Sequence, residues 1–315
     1  MKRIIILVVV IFFFSSSKAE SPHFGFTSQD SLSFFTPSLT LNKQRLHIVT
    51  YSAIGLYPLT MSWFYAEWYK NYSQTSFHLF NDEEEWLQMD KCGHVFSSYA
   101  IGKPLMRIFQ WTGTNNTKSV LYGAGIAYLY QTTIEVFDGF SSEWGFSMSD
   151  VAANTIGSWI LISQQLLWNE QRITLKESFH QTKYSAYRPN MLGKNLDENI
   201  LKDYNGQTYW ASVNIYSFLN KSETKFPRWL SIALGYGAEG MVGARTNPVA
   251  IDGKTVPSFP RYRQYYVGID FDLARIETKS KFLKGLFKVI NIVRLPAPAV
   301  EFNNGLGTKF YWLYF

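Results

Sequence analysis

Between residues 43 and 172 apolar positions recur with helical spacing in stretches almost free of charge. Residues 46–66 carry no charged side chain apart from a possible charge on His47, and residues 119–134 and 151–168 carry none. This period predicts four helices, over about 43–69, 90–111, 118–137 and 149–170. Pro58 should kink the first, and Gly102-Lys103-Pro104 should break or bend the second. Gly139 reads as a left-handed C-cap of the third. After Arg172 the period changes. Residues 180–205 form a polar connector, followed by five alternating runs at 209–219, 229–242, 262–276, 286–302 and 308–315. In the second run Leu230, Ile232, Leu234 and Tyr236 share one side, and Ser231, Ala233, Gly235 and Gly237 the other. In the third, Tyr265, Val267, Ile269 and Phe271 alternate with Gly268, Asp270 and Asp272. Period-two runs joined by short connections predict an antiparallel sheet.

The fold class is therefore α+β: an N-terminal four-helix bundle, then a C-terminal antiparallel β-sheet. The organisation read from the pattern is a signal peptide over 1–19, an extended arm over 20–42, a helical domain over 43–172, a connector over 173–208 and a β region over 209–315. Lys2 and Arg3, the apolar run 4–14 and Ser17-Lys18-Ala19 have the order of a secretory signal and its cleavage site. The chain ends Phe310-Tyr311-Trp312-Leu313-Tyr314-Phe315, much as an outer-membrane barrel strand ends. Five strands fall short of the eight a membrane barrel needs, so the sheet reads as a partial or membrane-associated barrel. Pro296 and Pro298 push the centre of the fourth run to an edge or a bend. The charge-free helical runs approach the ~20 residues that span a bilayer, which makes an inner-membrane location the alternative.

Composition narrows the class. At 46% apolar and 17% aromatic residues over 315 positions, the chain can bury a large core, and its rings also suit a membrane interface. The formal charge of +6 becomes +3 once Lys2, Arg3 and Lys18 leave with the signal, so no nucleic-acid partner is implied. The one cysteine, Cys92, rules out an internal disulfide and lies far from any lipid-attachment position; it reads as a buried small apolar residue.

Chemistry concentrates in three polar knots: Asp90-Lys91-Cys92-Gly93-His94, Glu135-Val136-Phe137-Asp138-Gly139, and the stretch from Ser147 to Asn154. Helical spacing sets Asp90 with His94, Asp150 with Asn154, and Glu135 near Asp138, each on one face. Brought together from three helices, an imidazole and carboxylates can bind a divalent metal or divide acid and base roles. The same residues also admit a structural account. Asp90 can cap its helix, Ser147 with Asp150 fits a capping box, and His94 can sit neutral against Glu135 or Asp138. The acidic run 81–85 reads as a solvated helix start.

The pattern Asp90-Lys91-x-x-His94 with Ser98-Tyr99, Glu135-x-x-Asp138-Gly139, and Phe146-Ser147-x-x-Asp150-x-x-x-Asn154-x-x-Gly157 resembles the uncharacterised YfiM-like family of predicted periplasmic lipoproteins. It is more distantly similar to VanZ-like membrane proteins. The resemblance implies an envelope location and marks catalytic candidates His94, Glu135 and Asp138, with Asp90, Lys91, Ser98, Tyr99, Asp150 and Asn154 as binding candidates. Neither a metal nor a cofactor is specified. Two functions follow. In the first, the chain is an exported structural or binding component at the outer membrane or in the periplasm, contacting envelope lipid, peptidoglycan or an envelope protein. In the second, it is a metal-assisted hydrolase or transferase acting on an envelope lipid or glycan.

Overall fold

A computed structural model describes residues 36–70, 72–220, 224–303 and 307–315. The expected signal peptide and most of the expected arm lie outside the described residues; residues 36–42 run without regular structure along the end of the second helix, where Asn42 N–H donates to Thr112 O at 2.8 Å. Four long helices follow: α1 (Lys43–Trp68), α2 (Met89–Trp111), α3 (Asn116–Gly139) and α4 (Met148–Trp168). Their starts are chemically marked. Asn42, Asn115 and Ser147 each accept from a backbone N–H in the first turn, as short polar N-caps do.

α2 is the central helix, packed against both α3 and α4. The approach is close because small residues face one another. A Cβ on Gly123 would stand 2.4 Å from Met106 N, and one on Gly157 would stand 2.2 Å from Val95 O. α1 lies against α3 through aromatic rings, with Tyr57 on Tyr130 and Tyr65 on Phe137. Of the break or bend expected at Gly102-Lys103-Pro104, the break does not occur: α2 is one continuous helix through it. Gly139 is not a left-handed cap either: it is the last residue of α3, where a Cβ would stand 2.4 Å from the Phe77 ring. Among the described residues no helix is long and apolar enough to cross a membrane, because polar side chains interrupt each one on its packed face.

The second half is a six-stranded antiparallel sheet in the order β1-β2-β3-β6-β7-β8. Its strands are β1 (Ile173–Phe179), β2 (Gln207–Asn214), β3 (Leu230–Glu239), β6 (Tyr262–Phe271), β7 (Ala297–Asn303) and β8 (Gly307–Tyr314). A small hairpin, β4 (Ala250–Ile251) with β5 (Lys254–Thr255), stands apart. Two short helices, α5 (Pro189–Leu192) and α6 (Leu196–Lys202), lie between β1 and β2.

The sheet is strongly curled. Tyr314 on β8 reaches Thr208 on β2 with an O···O distance of 3.0 Å, although a flat sheet would hold those strands roughly 19 Å apart. Residues 292–294 cover the free edge of β1, with Arg294 N–H donating to Glu177 O at 2.8 Å.

The curl encloses the small and polar side of the strands. Ser231, Ala233, Ser212, Asp270 and Glu301 are buried, while Ile232, Leu234, Val267 and Ile269 are exposed. Gly235 admits the Trp210 indole, which a Cβ there would meet at 2.6 Å. Lys176 and Asp270 pair at 2.7 Å, 1% and 0% exposed, with Lys176 also donating to Phe271 O. Arg294 stacks on Trp210 and donates to Tyr314 O.

Two predicted elements differ in the structure. β1 falls inside the expected connector because its inward residues are Thr174, Lys176 and Ser178, so its alternation buries polar side chains. The run 286–302 opens not as a strand but as the end of a helix, α7 (Lys281–Ile290), in which Lys284 and Lys288 sit four apart and leave an apolar side at helical period.

Breaking the inner pair of the sheet should be costly. Lys176→Met leaves Asp270 buried and unpaired and is expected to lower unfolding free energy by about 3–5 kcal/mol, with Lys176→Met/Asp270→Leu recovering most of it. Urea denaturation of the three chains measures both.

Candidate functional site

The site forms where α2, α3 and α4 come together beside the loop before α2. That loop enters the helix through three successive left-handed residues, Trp86 (φ 48°), Leu87 (φ 50°) and Gln88 (φ 64°). None is glycine, so each costs roughly 1–2 kcal/mol. The sheet half holds the turn in place. Trp86 N–H donates to Ala244 O at 2.7 Å, Tyr236 OH donates to Leu87 O, and Arg263 Nη2 donates to Gln88 Oε1 at 2.6 Å. The helix that emerges places Asp90, Lys91 and His94 in its first two turns.

Lys91 Nζ lies 2.7 Å from Asp82 Oδ2, 2.9 Å from Asp90 Oδ2 and 2.7 Å from Asp150 Oδ1. The contact to Asp90 has hydrogen-bond geometry, while Asp150 Oδ1, though ion-paired, is buried with no hydrogen-bond partner. Asp82 also accepts from Ser147 and Ser149 at 2.7 and 2.8 Å, which ties the loop to the start of α4.

His94 Nδ1 faces Asn154 Oδ1 at 3.1 Å, and that oxygen also accepts from Ser98 Oγ at 3.2 Å. The pairing makes Nδ1 the protonated nitrogen and turns Nε2 toward the acids. Nε2 stands 3.8 Å from Asp90 Oδ1, 3.6 Å from Glu135 Oε1 and 3.8 Å from Asp150 Oδ1. Tyr204 OH closes the far side of Asp90 at 2.6 Å.

The acids divide into two sets. Burial raises the Asp90 carboxyl, but His94, Lys91 and the Tyr204 hydroxyl outweigh it and hold it at about 2. Burial raises Asp82 too, and it ends below the usual carboxylate range through hydrogen bonds from Asp150, Lys91 and Ser147. Burial and the neighbouring Asp150, Asp138 and Asp90 push Glu135 up to about 10. Burial and Asp90 push Asp150 up to about 9, against the pull of Lys91. Asp138 rises to about 7, mainly by burial, with the Tyr69 hydroxyl opposing from 2.8 Å.

Glu135 is 1% exposed and neither of its oxygens has a hydrogen-bond partner; the Ser147 backbone N–H offsets part of its rise without reaching hydrogen-bond geometry. Asn154 Nδ2 is likewise buried and unpartnered. Four carboxyls thus face one ammonium and one imidazole.

Such a surplus can hold protons or a cation. One ligand atom each from Asp90, His94 and Asp150 lies within 4.8 Å of the others. Ligands about 2.1 Å from a shared ion stand roughly 3–4 Å apart, so slight contraction makes the three a ligand set. Asn154 on His94 Nδ1 is the kind of outer partner that orients a ligating imidazole. A shallow groove of about 420 Å³ runs beside the cluster, lined by Gln88, Lys91, Cys92, Met148 and Ser149 among others. Burial, with Asp90 nearby, raises the Cys92 thiol to about 11, which leaves it protonated and inert at neutral pH.

Asp90, Lys91, His94, Glu135, Asp150, Asn154 and Ser98 therefore meet. Asp138 stands one turn from Glu135, on the Tyr69 side. Tyr99 does not take part: it is fully buried at the α2–β1 contact, where its hydroxyl donates to Ile173 O at 3.2 Å. Asp90 lies in the first turn of α2, but Gln88 is the N-cap residue, whereas Ser147 does cap α4 through Asp150 N–H. Sequence reasoning set Asp82 on a solvated acidic face, with a metal role for Asp82, Glu83, Glu84 and Glu85 as the lesser alternative; Asp82 belongs to the cluster. It missed Tyr69 and Tyr204. No spacing links Tyr204 to Asp90, 114 positions away; the Asp82–Lys91 pair carries a faint signal, since an acidic run just before a lysine-bearing helix can fold back on it.

No curated protein and no solved structure matches the chain. Residues 78–163, under a third of the 315 positions, match a family model described as Predicted periplasmic lipoprotein (DUF2279). The match says nothing of YfiM-like or VanZ-like proteins in particular. It spans the loop, α2, α3 and most of α4, and so contains Asp82, Asp90, Lys91, His94, Glu135, Asp150 and Asn154 but neither Tyr69 nor Tyr204. Over that segment, and with it the polar cluster, the chain is similar to an uncharacterised family of exported, periplasmic proteins.

Proposed function

We propose that this chain is an envelope-binding component whose helical half holds a divalent cation between Asp90, His94 and Asp150, with Glu135 as the adjoining acid. The supporting observation is the surplus of buried carboxyls around His94 Nε2, above all Glu135 with no hydrogen-bond partner on either oxygen. A buried acid without a partner is expensive, and a cation lowers that cost where no further ammonium is at hand. Mixed carboxylate and imidazole ligands suit Zn²⁺ or Mn²⁺. In this reading the ion and the groove beside Lys91 bind an envelope component, lipid, glycan or protein, at the outer membrane or in the periplasm.

A second reading, metal-assisted hydrolysis or transfer on an envelope lipid or glycan, is favoured by the 3.6 Å approach of His94 Nε2 to Glu135 Oε1. An acid and an imidazole at that distance, next to a cation that lowers the pKa of bound water, are the parts such a reaction needs.

Metal analysis tests the shared core of both readings. The full chain, stripped with chelator and titrated with Zn²⁺ or Mn²⁺, should take up a stoichiometric ion and melt at higher temperature. His94→Ala and Asp150→Asn should abolish uptake, and Asn154→Ala should weaken it about 10–100-fold. Absence of uptake by the native chain, or unchanged uptake by His94→Ala, overturns the proposal.

Glu135→Gln separates a functional acid from a structural one. Without metal the variant should be as stable as the native chain or more stable by about 0.5–2 kcal/mol, since it removes a buried acid that nothing satisfies, while its cation affinity falls. Destabilisation of similar size in thermal melting would assign Glu135 to the packing instead.

A further inference from the structure

The helix α7, between β6 and β7, has a division of polarity the cation centre does not use. Phe282, Leu283, Leu286, Phe287, Val289 and Ile290 fall on one side and Lys284 and Lys288 on the other. None of its described residues is buried, and Leu283 and Ile290 are 38% and 36% exposed. The helix is nevertheless firmly anchored. Ser280 caps it by accepting from Leu283 N–H at 3.3 Å, and Asn291 just beyond its end donates to Asp272 and accepts from Leu273 N–H. An amphipathic helix tied to the body at its C-terminal end, with Leu283 and Ile290 left exposed on its apolar side, is built to be presented.

Two further features say what covers it. The first is charge. Burial and the nearby Arg107 and Lys284 push the Lys288 ammonium below its usual value, and burial lowers Arg107 as well, with Asp272 opposing. Asp272 is already engaged by Arg275 at 3.0 Å and by Asn291. The polar side of α7 itself presents lysines and no acid. The second is continuity. Trp229, Phe218, Leu219, Val293 and Leu313 are all exposed around the sheet end where β3 starts and β6 and β8 finish. An apolar helix face with lysines on its polar side, beside a sheet end that exposes aromatic and aliphatic side chains, matches the boundary between headgroups and acyl chains.

We propose that α7 lies in the surface of an anionic phospholipid bilayer, its apolar side among the upper acyl chains and Lys284 and Lys288 among the headgroup phosphates. This goes beyond the cation reading and does not rest on it. Roughly 25 Å of α2 separates Asp90 from Arg107, so the proposed docking face and the cation centre are separate parts of the molecule.

Flotation of the full chain with vesicles of phosphatidylcholine, with and without phosphatidylglycerol, tests the proposal. The native chain should float with the phosphatidylglycerol vesicles and at least about tenfold less with phosphatidylcholine alone. Leu283→Glu/Ile290→Glu should lose at least about tenfold of the binding to phosphatidylglycerol vesicles, and Lys284→Glu/Lys288→Glu should lose the preference for phosphatidylglycerol. All four positions are exposed, so unchanged melting temperatures confirm folded variants. Equal flotation of native and Leu283→Glu/Ile290→Glu chains, or of the native chain with both vesicles, overturns the proposal. So does a change of oligomeric state in the variants, by sedimentation velocity, with flotation unaltered, which would assign the face to a second copy of this chain.

Discussion

The ammonium of Lys91 is the interaction on which the helical half depends. It gathers Asp82 from the loop, Asp90 from its own helix and Asp150 from α4, three segments that would otherwise repel one another at this point. Among the described residues Lys91 pairs with these three acids and not with Glu135, and that distribution sorts the acids. Those held by Lys91, Tyr204 and the serines stay ionised; those buried behind them, Glu135, Asp138 and Asp150, are pushed up. Carboxyls driven apart in this way within one cluster mark a division between structure and chemistry. Asp150 belongs to both sides, paired with Lys91 and facing His94.

A second constraint runs through both halves: the polar side chains are inside. In the bundle Ser98, Ser119, Gln131, Asn154 and Ser158 are buried between helices, while Leu121, Leu129, Trp159 and Leu167 are exposed. The sheet repeats the arrangement around Lys176, Asp270 and Glu301. Buried polar groups are tolerated only when paired, and here most are, which makes these interiors specific in register and unforgiving of single losses. The large apolar outer surface lowers its free energy only when something apolar covers it, and the basic rim of α7 is the part of that surface whose charge names the cover.

How much of this could be read from the chain follows from the same inversion. The four helices and the five alternating runs were legible because periods of 3.6 and 2 persist whichever side faces inward. Asp90 with His94, and Asp150 with Asn154, could be set on shared faces by spacing alone. The failures have specific causes. β1 hides because Thr174, Lys176 and Ser178 point inward, where a strand is expected to bury apolar groups. α7 passes for a strand because its apolar residues are dense and its neighbours are strands. Asp82 and Tyr204 join the cluster through folding back and through a distant chain crossing, neither of which leaves a period.

The left-handed turn at Trp86, Leu87 and Gln88 shows why the two halves form one unit. Its strain is offset by donors from the sheet half, Tyr236 and Arg263, by the Ala244 carbonyl, and by burial of Trp86 among Met241 and Val242. Were the sheet half removed, those three residues would relax toward right-handed or extended backbone, and the start of α2 would rotate. Rotation there moves Asp90, Lys91 and His94 together, away from Asp150 and Glu135, whose positions α4 and α3 set independently. The matched segment 78–163 carries the acids and the imidazole, but in this chain their angle of approach is set by strands beyond it, and Tyr204, which also lies beyond it, adds to the hold of His94 and Lys91 on the Asp90 carboxylate. The strands thus act on the cluster as positioning elements, and the polarity that fills their interior keeps that positioning rigid.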